Sequence, residues 1–485
     1  MNIKRTVDDT NLHTTTRSIS CLFARVLRTL WENLLLLVFI GGINATALAK
    51  HTQQHKDAHA KLKMALITPH QKFIQPSLYF PISHGHIEKL ALQSGSVNAQ
   101  VENWSRCEIG ATVSKVNPLA NSLELSNGKT FTYKALVLAP GFDHSIESIK
   151  GLNELSHESD AENTFVHLLD GPERTERNWY MGWNNFMGDM LCYSPAFPYK
   201  GEGSDFYALV FEHFLRMDKL NGRATPGSRV QYWTPNKKIY QFDYANEVAL
   251  DECHKRGIDV HFGWELQEVK RNSSNQKIAV FRNVDTNEVI EKDFFSMNIN
   301  PASKPQSFIA ESGLGDAAGN LDVNRYTLQH SKYENIFGFG DAVGFDTTRT
   351  HNAAMAQNPV VKNNVLRFLK DKEVNGIYDG YSKQELWLGH SYATTFSHLH
   401  DFEPTSTNHS VPHHGIFSRL YFSWMLREAG KHDKAYSSFD KNHGPPHFDY
   451  CAEYDELEHS EYLKAKNINP DSLIHPQRKQ KLVPN

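Results

Sequence analysis

The chain has 485 residues, enough for two or three domains, and its 40% hydrophobic and 22% charged content describes a globular protein rather than a disordered one. A net charge of −4 with no basic block argues against nucleic acid as a partner. The five cysteines (Cys21, Cys107, Cys192, Cys253, Cys451) are scattered without a C-x-x-C pair, and the closest histidines, His398/His400 and His413/His414, lack companion ligands, so neither a disulfide framework nor a metal site is expected.

Residues 1–33 carry Arg5, Arg17, Arg25 and Arg28 among many Ser and Thr and few acids, a composition that resembles a mitochondrial transit peptide. The apolar run Leu34–Ile40 is too short to span a bilayer. A secretory signal is the rival reading, because the run leads into the small residues N-A-T-A-L-A. The residues from Val38 to Pro69 favour a buried strand instead. Val38–Gly42 is a strand ending in glycines, the next stretch has the small-residue pattern of a helix packed on a sheet, and Lys63–Pro69 is a second apolar strand. Strand, glycine turn, helix and strand in about thirty residues make a dinucleotide-binding βαβ unit.

Leu123–Leu125, the turn S-N-G-K and T-F-T-Y-K-A-L-V-L-A-P-G predict a hairpin feeding a buried strand, Ala135–Ala139, that ends at Pro140-Gly141. A second α/β unit comes next in the chain. Met190–Pro195, R-V-Q-Y-W-T-P and I-D-V-H-F-G are its strands, and D-F-Y-A-L-V-F-E-H-F-L-R-M-D-K and Y-A-N-E-V-A-L-D-E-C-H-K-R-G are its helices. K-I-A-V-F-R-N and V-I-E-K-D-F-F-S-M-N-I-N-P predict a further hairpin. Asn335–Asp341 returns as a strand that stops at Gly340-Asp341, and a helix runs from about Asn352 to Leu369. Gly340-Asp341 has two readings, an ordinary strand-to-loop turn or a cofactor site at the carboxyl end of a strand. The polar tail after Glu453 is expected to be loosely ordered.

Taken in order, V-F-I-G-G-I-N-A-T-A-L-A-K, I-T-P-H-Q-K-F-I-Q-P-S, Y-K-A-L-V-L-A-P-G and above all D-A-A-G-N-L-D-V-N-R-Y-T-L-Q-H-S-K-Y-E-N-I-F-G-F-G-D resemble the flavoproteins with two dinucleotide-binding domains, specifically the sulfide:quinone oxidoreductases of the pyridine nucleotide-disulfide oxidoreductase superfamily. The resemblance covers about Leu34 to Met425. It implies an α/β fold with two Rossmann-like domains and an interleaved chain return. The divisions are a transit-like extension (1–33), the first half of a flavin adenine dinucleotide (FAD)-type domain (34–170), a second NAD-type domain (171–300), the return (301–400) and an aromatic C-terminal extension with a polar tail (401–485).

The resemblance implies an FAD site at Gly41, Gly42, Thr68, Ala139, Gly141, Gly340, Asp341 and Arg349. Asp341 would bond the ribitol, and Arg349 stands where the family has a lysine. Three departures matter. Gly41-Gly42-Ile43-Asn44-Ala45-Thr46 is one glycine short of G-x-G-x-x-G, which weakens the pyrophosphate site. Thr68 replaces the acid that binds ribose hydroxyls, and a hydroxyl lacks the charge-assisted pair of bonds a carboxylate accepts. Gly201 and Ala342 occupy the positions of the family's redox cysteines, so no catalytic pair is expected; Cys192 falls inside a strand, as a small hydrophobe would. These losses point to an accessory or structural subunit of a respiratory-chain assembly, peripheral on the mitochondrial inner membrane. Phe417–Met425 would face lipid or partner subunits, as the family's membrane-facing helices do, or serve as an ordinary core helix. The alternatives are an active FAD-dependent oxidoreductase passing electrons to quinone and a nucleotide-sensing module.

Overall fold

The computed structural model describes residues 34–41, 48, 64–69, 105–156, 166–168, 188–199, 201–202, 206–389, 392–404, 460 and 463–482, and two larger sheets, one mixed and one parallel, organise them. The first begins with β1 (Leu34–Gly41), β2 (Met64–Thr68), β3 (Ser105–Ile109), β4 (Val113–Asn117), β5 (Ser122–Leu125) and β6 (Thr130–Ala139). Its order is β3-β2-β1-β6-β5-β4, with β1 parallel to both β2 and β6. Leu37, Val38, Phe39 and Ile40 are all buried, because a central parallel strand is covered on both faces. Each such side chain contributes about 1.5–3 kcal/mol. The predicted β5–β6 hairpin forms, and Gly128 in its turn takes the left-handed φ of +78° that a side chain disfavours. Of the helix expected after β1, only Leu48 is described; it is helical and fully buried.

The chain then crosses to the second sheet. After β7 (Phe142–His144), α1 (Leu152–Ser156) and β8 (Val166–Leu168) come β9 (Met190–Tyr193), α2 (Ala208–Leu220), β10 (Val230–Thr234), α3 (Asp243–Arg256) and β11 (Asp259–Phe262). Three antiparallel strands succeed them, β12 (Trp264–Arg271), β13 (Lys277–Asn283) and β14 (Val289–Asp293), and then β15 (Ser296–Ile299). The second sheet has the order β11-β10-β9-β15-β8 and is parallel throughout. The stretch expected as one hairpin arm, Val289–Pro301, therefore divides in two. The cause is visible in its burial. β14 alternates exposed and half-buried residues, as an edge strand does, whereas all of Ser296–Ile299 is buried, as a central strand requires. β8, within the 34–170 stretch expected in the first unit, pairs with β15 of the second sheet.

The return is short. β16 (Ser303–Pro305) pairs antiparallel with β7, so the outgoing and returning chains are stitched together. After α4 (Ser307–Glu311), β17 (Ile336–Gly338) lies parallel to the last part of β6, on the edge that β5 leaves free. The helix α5 (His351–Leu369) comes next, then the hairpin β18 (Ser382–Gly389) and β19 (Tyr392–His398). Leu386, Trp387, Leu388 and Phe396 of this hairpin pack into the core of the second sheet and its helices.

The expectation of a loosely ordered tail needs correction. Leu463 and Leu473 are buried against Ile377, His475 Nε2 donates to the His330 carbonyl at 2.9 Å, and α6 (Pro476–Leu482) closes the segment. Leu463, Ile468 and Leu473 share one contact, a pattern too sparse to register as a periodicity. Residues 1–33 and the aromatic segment Phe417–Met425 lie outside the described residues. Among the described residues no helix is long and apolar enough to cross a membrane.

Candidate functional site

Five parallel strands of the first sheet, β3, β2, β1, β6 and β17, end at one edge. The register sets Gly41 opposite Ala139, and Gly338 opposite Leu138, so the ends of β1, β6 and β17 are neighbours; β2 ends beside β1 at the buried Thr68. Gly41 has φ +143° and Gly141 φ +71°, conformations that favour glycine. Gly42 lies outside the described residues. Gly338 packs closely, since a Cβ there would come within 1.9 Å of Leu321 Cδ2 and displace that side chain. Gly340 has φ +77° and donates its buried N–H to Gln357 Oε1 of α5 at 2.7 Å. The first turn of α5 is capped by Thr350, whose hydroxyl accepts from the Ala353 N–H at 3.1 Å. The carboxyl edge of a parallel sheet beside a helix N-terminus is where open α/β sheets take ligands.

Arg349 gathers this edge to the second domain. Its Nε donates to the Asp341 carbonyl and its Nη2 to the Val343 carbonyl, each at 3.1 Å. Its guanidinium lies 4.8 Å over the Phe142 ring, just past the end of β6. Its Nη1 is 3.9 Å from Oε1 of Glu202, and both side chains are buried. The same Glu202 oxygen accepts the Tyr199 N–H at 3.1 Å, and Oε2 accepts from Gln241 Nε2 at 2.7 Å. Burial pushes the Glu202 carboxyl up to about 8 against the pull of Arg349 and these two donors. Sequence reasoning placed Arg349 but missed Glu202. The available signal was a lone acid between two glycines, directly after Gly201.

The two positions expected to hold cysteines differ from a thiol site in backbone as well as in side chain. Gly201 has φ +79°, a conformation that costs a side-chain-bearing residue about 1–2 kcal/mol. Ala342 is fully buried in an apolar cluster with Leu321 and Val343. Cys192 and Cys253 are buried in the core of the second domain, where burial pushes the Cys253 thiol up to about 12.

Behind Arg349 runs a buried line of hydroxyls. His398 Nδ1 donates to the Leu399 carbonyl at 2.8 Å, so Nε2 must accept, and it takes the Thr348 hydroxyl at 3.1 Å. Thr348 then accepts from Ser382, and Ser382 accepts from Thr350 at 2.8 Å. The line links the cap of α5 to both strands of the β18–β19 hairpin. No motif marks these residues, because their spacing reflects tertiary pairing.

The edge suits FAD in part. Gly41, Ala139, Gly141, Gly340 and Asp341 converge there with Arg349. The helix α5 also carries buried polar atoms with no hydrogen-bond partner among the described residues, namely Gln357 Nε2 and both Nδ2 and Oδ1 of Asn358. Thr68, the last residue of β2, is buried at the same edge. The second sheet offers less. At its carboxyl edge Asn236 Nδ2 donates to the Pro195 carbonyl at 2.8 Å and its Oδ1 accepts the Phe197 N–H at 3.1 Å, bridging the ends of β9 and β10. Among the described residues no cluster of His, Cys, Asp or Glu could hold a metal ion.

No protein-family model matches the chain. It is similar to the mitochondrial sulfide:quinone oxidoreductase of Schizosaccharomyces pombe, at 25% identity over 69% of this chain and 74% of that protein. Its fold matches the sulfide:quinone oxidoreductase of Aquifex aeolicus with a TM-score of 0.61 at 15% identity, over 84% of this chain and 96% of the other. A chain in the cryo-EM structure of Tetrahymena thermophila mitochondrial ATP synthase matches with a TM-score of 0.76 at 26% identity, over 92% of this chain and 100% of that one.

Proposed function

We propose that this chain, a relative of the mitochondrial sulfide:quinone oxidoreductases with their two-domain fold, is a structural member of a mitochondrial membrane assembly of the ATP synthase kind and does not oxidise sulfide. One observation carries the reading. Where a thiol pair is expected, the chain has Gly201 in a left-handed conformation and a fully buried Ala342, with the Glu202–Arg349 pair nearby along the chain. Neither residue offers sulfur to be oxidised, so the persulfide and disulfide states of that chemistry have no carrier. The fit to a whole chain of the Tetrahymena assembly supports the same reading. The chain would act in mitochondria, addressed there by residues 1–33 and peripheral on the inner membrane, with lipid or partner subunits against its C-terminal extension.

In this reading FAD is bound weakly or not at all. Gly41, Thr68, Ala139, Gly141, Gly340, Asp341 and Arg349 would hold it, and it would supply two-electron redox chemistry. Loss of one charged hydrogen bond at Thr68 costs about 1.5–3 kcal/mol, or roughly ten- to a hundredfold in affinity. The unpartnered atoms of Gln357 and Asn358 favour a second reading, in which the edge still takes FAD and passes electrons from another donor to quinone. The test is the absorbance spectrum of the purified chain together with sulfide-dependent reduction of a short-chain quinone. We expect substoichiometric flavin and no sulfide turnover. Stoichiometric flavin with sulfide turnover that Cys192→Ala abolishes would overturn the reading.

A further inference from the structure

The site that joins the two domains has no assigned role, and its geometry is specific. Arg349 belongs to the return segment before α5, and Glu202 to the loop between β9 and α2 of the second domain. Arg349 is held from three sides by the Asp341 and Val343 carbonyls and the Phe142 face, all of the first domain. Glu202 is held by the Tyr199 N–H and by Gln241, and its carbonyl accepts Gln384 Nε2 of β18 at 3.3 Å. Across the gap of 3.9 Å the two groups face each other out of water. We propose that Glu202 and Arg349 form an interdomain latch that holds or releases one proton at the carboxyl of Glu202.

Opposing demands meet at this one buried carboxyl. A guanidinium does not give up its proton, so Arg349 keeps its charge. Glu202 gains from that charge and from its two N–H donors if it ionises, and loses hydration if it does. Of the other groups that bear on the pair, Asp341 opposes ionisation of Glu202, while Asp346 and Asp316 favour the charge on Arg349. Burial outweighs the attraction and lifts the carboxyl to about 8, inside the neutral range. Below that pH the two domains meet through a neutral acid hydrogen-bonded to its donors. Above it they meet through a buried ion pair. The latch does not depend on the proposed function; a chain that binds flavin could carry it as well.

The direction of the shift fixes the sign of its effect. The folded-state value lies above the ordinary carboxylate value, so the contribution of Glu202 to stability is full below about 4.5 and is lost as pH rises through about 8. Between those values one extra proton is bound on folding, and the unfolding constant rises about tenfold per pH unit from this group alone. The experiment compares the full chain with E202Q and R349M, by urea unfolding and hydrogen exchange of residues 341–349 between pH 5 and 9. Glutamine keeps the shape and has no proton to lose, although its single amide oxygen accepts only one of the two N–H bonds. The expected result is that E202Q removes about one proton from the pH dependence. R349M should destabilise more at pH 9 than at pH 6, with faster exchange in residues 341–349, because it leaves a bare buried carboxylate. Parallel pH profiles for the full chain and E202Q would overturn the proposal, as would an R349M effect that is the same at every pH. If both variants fail to fold, R349K serves; its ammonium keeps the charge and loses the fork, and unchanged exchange in residues 341–349 would count against the latch.

Discussion

Asn364 of α5 illustrates how much one buried amide can fix. Its Nδ2 donates to the Thr327 carbonyl at 2.8 Å and to the Gly376 carbonyl at 2.9 Å, while its Oδ1 accepts the Gly376 N–H at 2.7 Å. Asn364→Ala strands three backbone groups in a fully buried place, so a loss of about 3 kcal/mol is expected; a shift in the urea midpoint worth less than about 1 kcal/mol would show that the loop at Gly376 re-pairs. The same scale governs the thiol positions. A chain carrying Gly201→Cys and Ala342→Cys together is expected to remain unable to reduce quinone with sulfide, because the backbone at Gly201 resists a side chain and residue 342 faces apolar core. Recovered turnover would mean that only the sulfur atoms were missing. Some of this was legible in the chain itself. Gly340-Asp341 after an apolar run marked the strand end, and the absence of cysteine at 201 and 342 was plain in the sequence. Glu202 was not legible, since its partner is far along the chain and a contact between two loops leaves no period.

Among elements, the parallel strands read best, because near-continuous apolar runs such as Leu34–Ile40 and Ala135–Ala139 have few other homes. The β18–β19 hairpin was unassigned. Ser382, Gln384 and Thr394 are buried polar residues within it, and they blur the alternation that would reveal a strand. Buried histidines, two of them in or beside this hairpin, make the fold sensitive to acid. Burial pushes His330, His398 and His400 down to about 4, so each is neutral in the folded chain. His398 must accept the Thr348 hydroxyl to complete the line to the α5 cap. With folded values below the ordinary histidine value, their contribution is present above about 6.5 and is lost as pH falls through about 4. Each then removes about 1.4 kcal/mol per pH unit within that window. Urea midpoints between pH 7 and 4.5 should fall steeply, and His398→Gln should remove one proton from the slope. An unchanged slope would place His398 outside the acid response.

At the scale of the whole molecule, the two pH responses oppose one another. The histidines lose stability as pH falls below about 6.5, and Glu202 loses it as pH rises toward about 8. These four groups together therefore favour the region just above 6.5. The two-domain architecture was legible from its repeated strand–helix–strand grammar. The crossing stitched by β7 and β16, and the docking of residues 463–482 onto the return segment, were not, because both depend on pairings between distant short stretches. A fold kept whole with Gly201, the buried Ala342 and the buried Glu202–Arg349 pair where thiols are expected suits the proposed scaffold better than a sulfide-oxidising enzyme. The deciding measurement is the native mass of the particle that carries this chain after gentle detergent extraction of mitochondria, with its companions identified by mass spectrometry. A scaffold role predicts a large particle in which the chain accompanies ATP synthase subunits in fixed ratio; a free monomer or small homo-oligomer carrying one flavin per chain would contradict it.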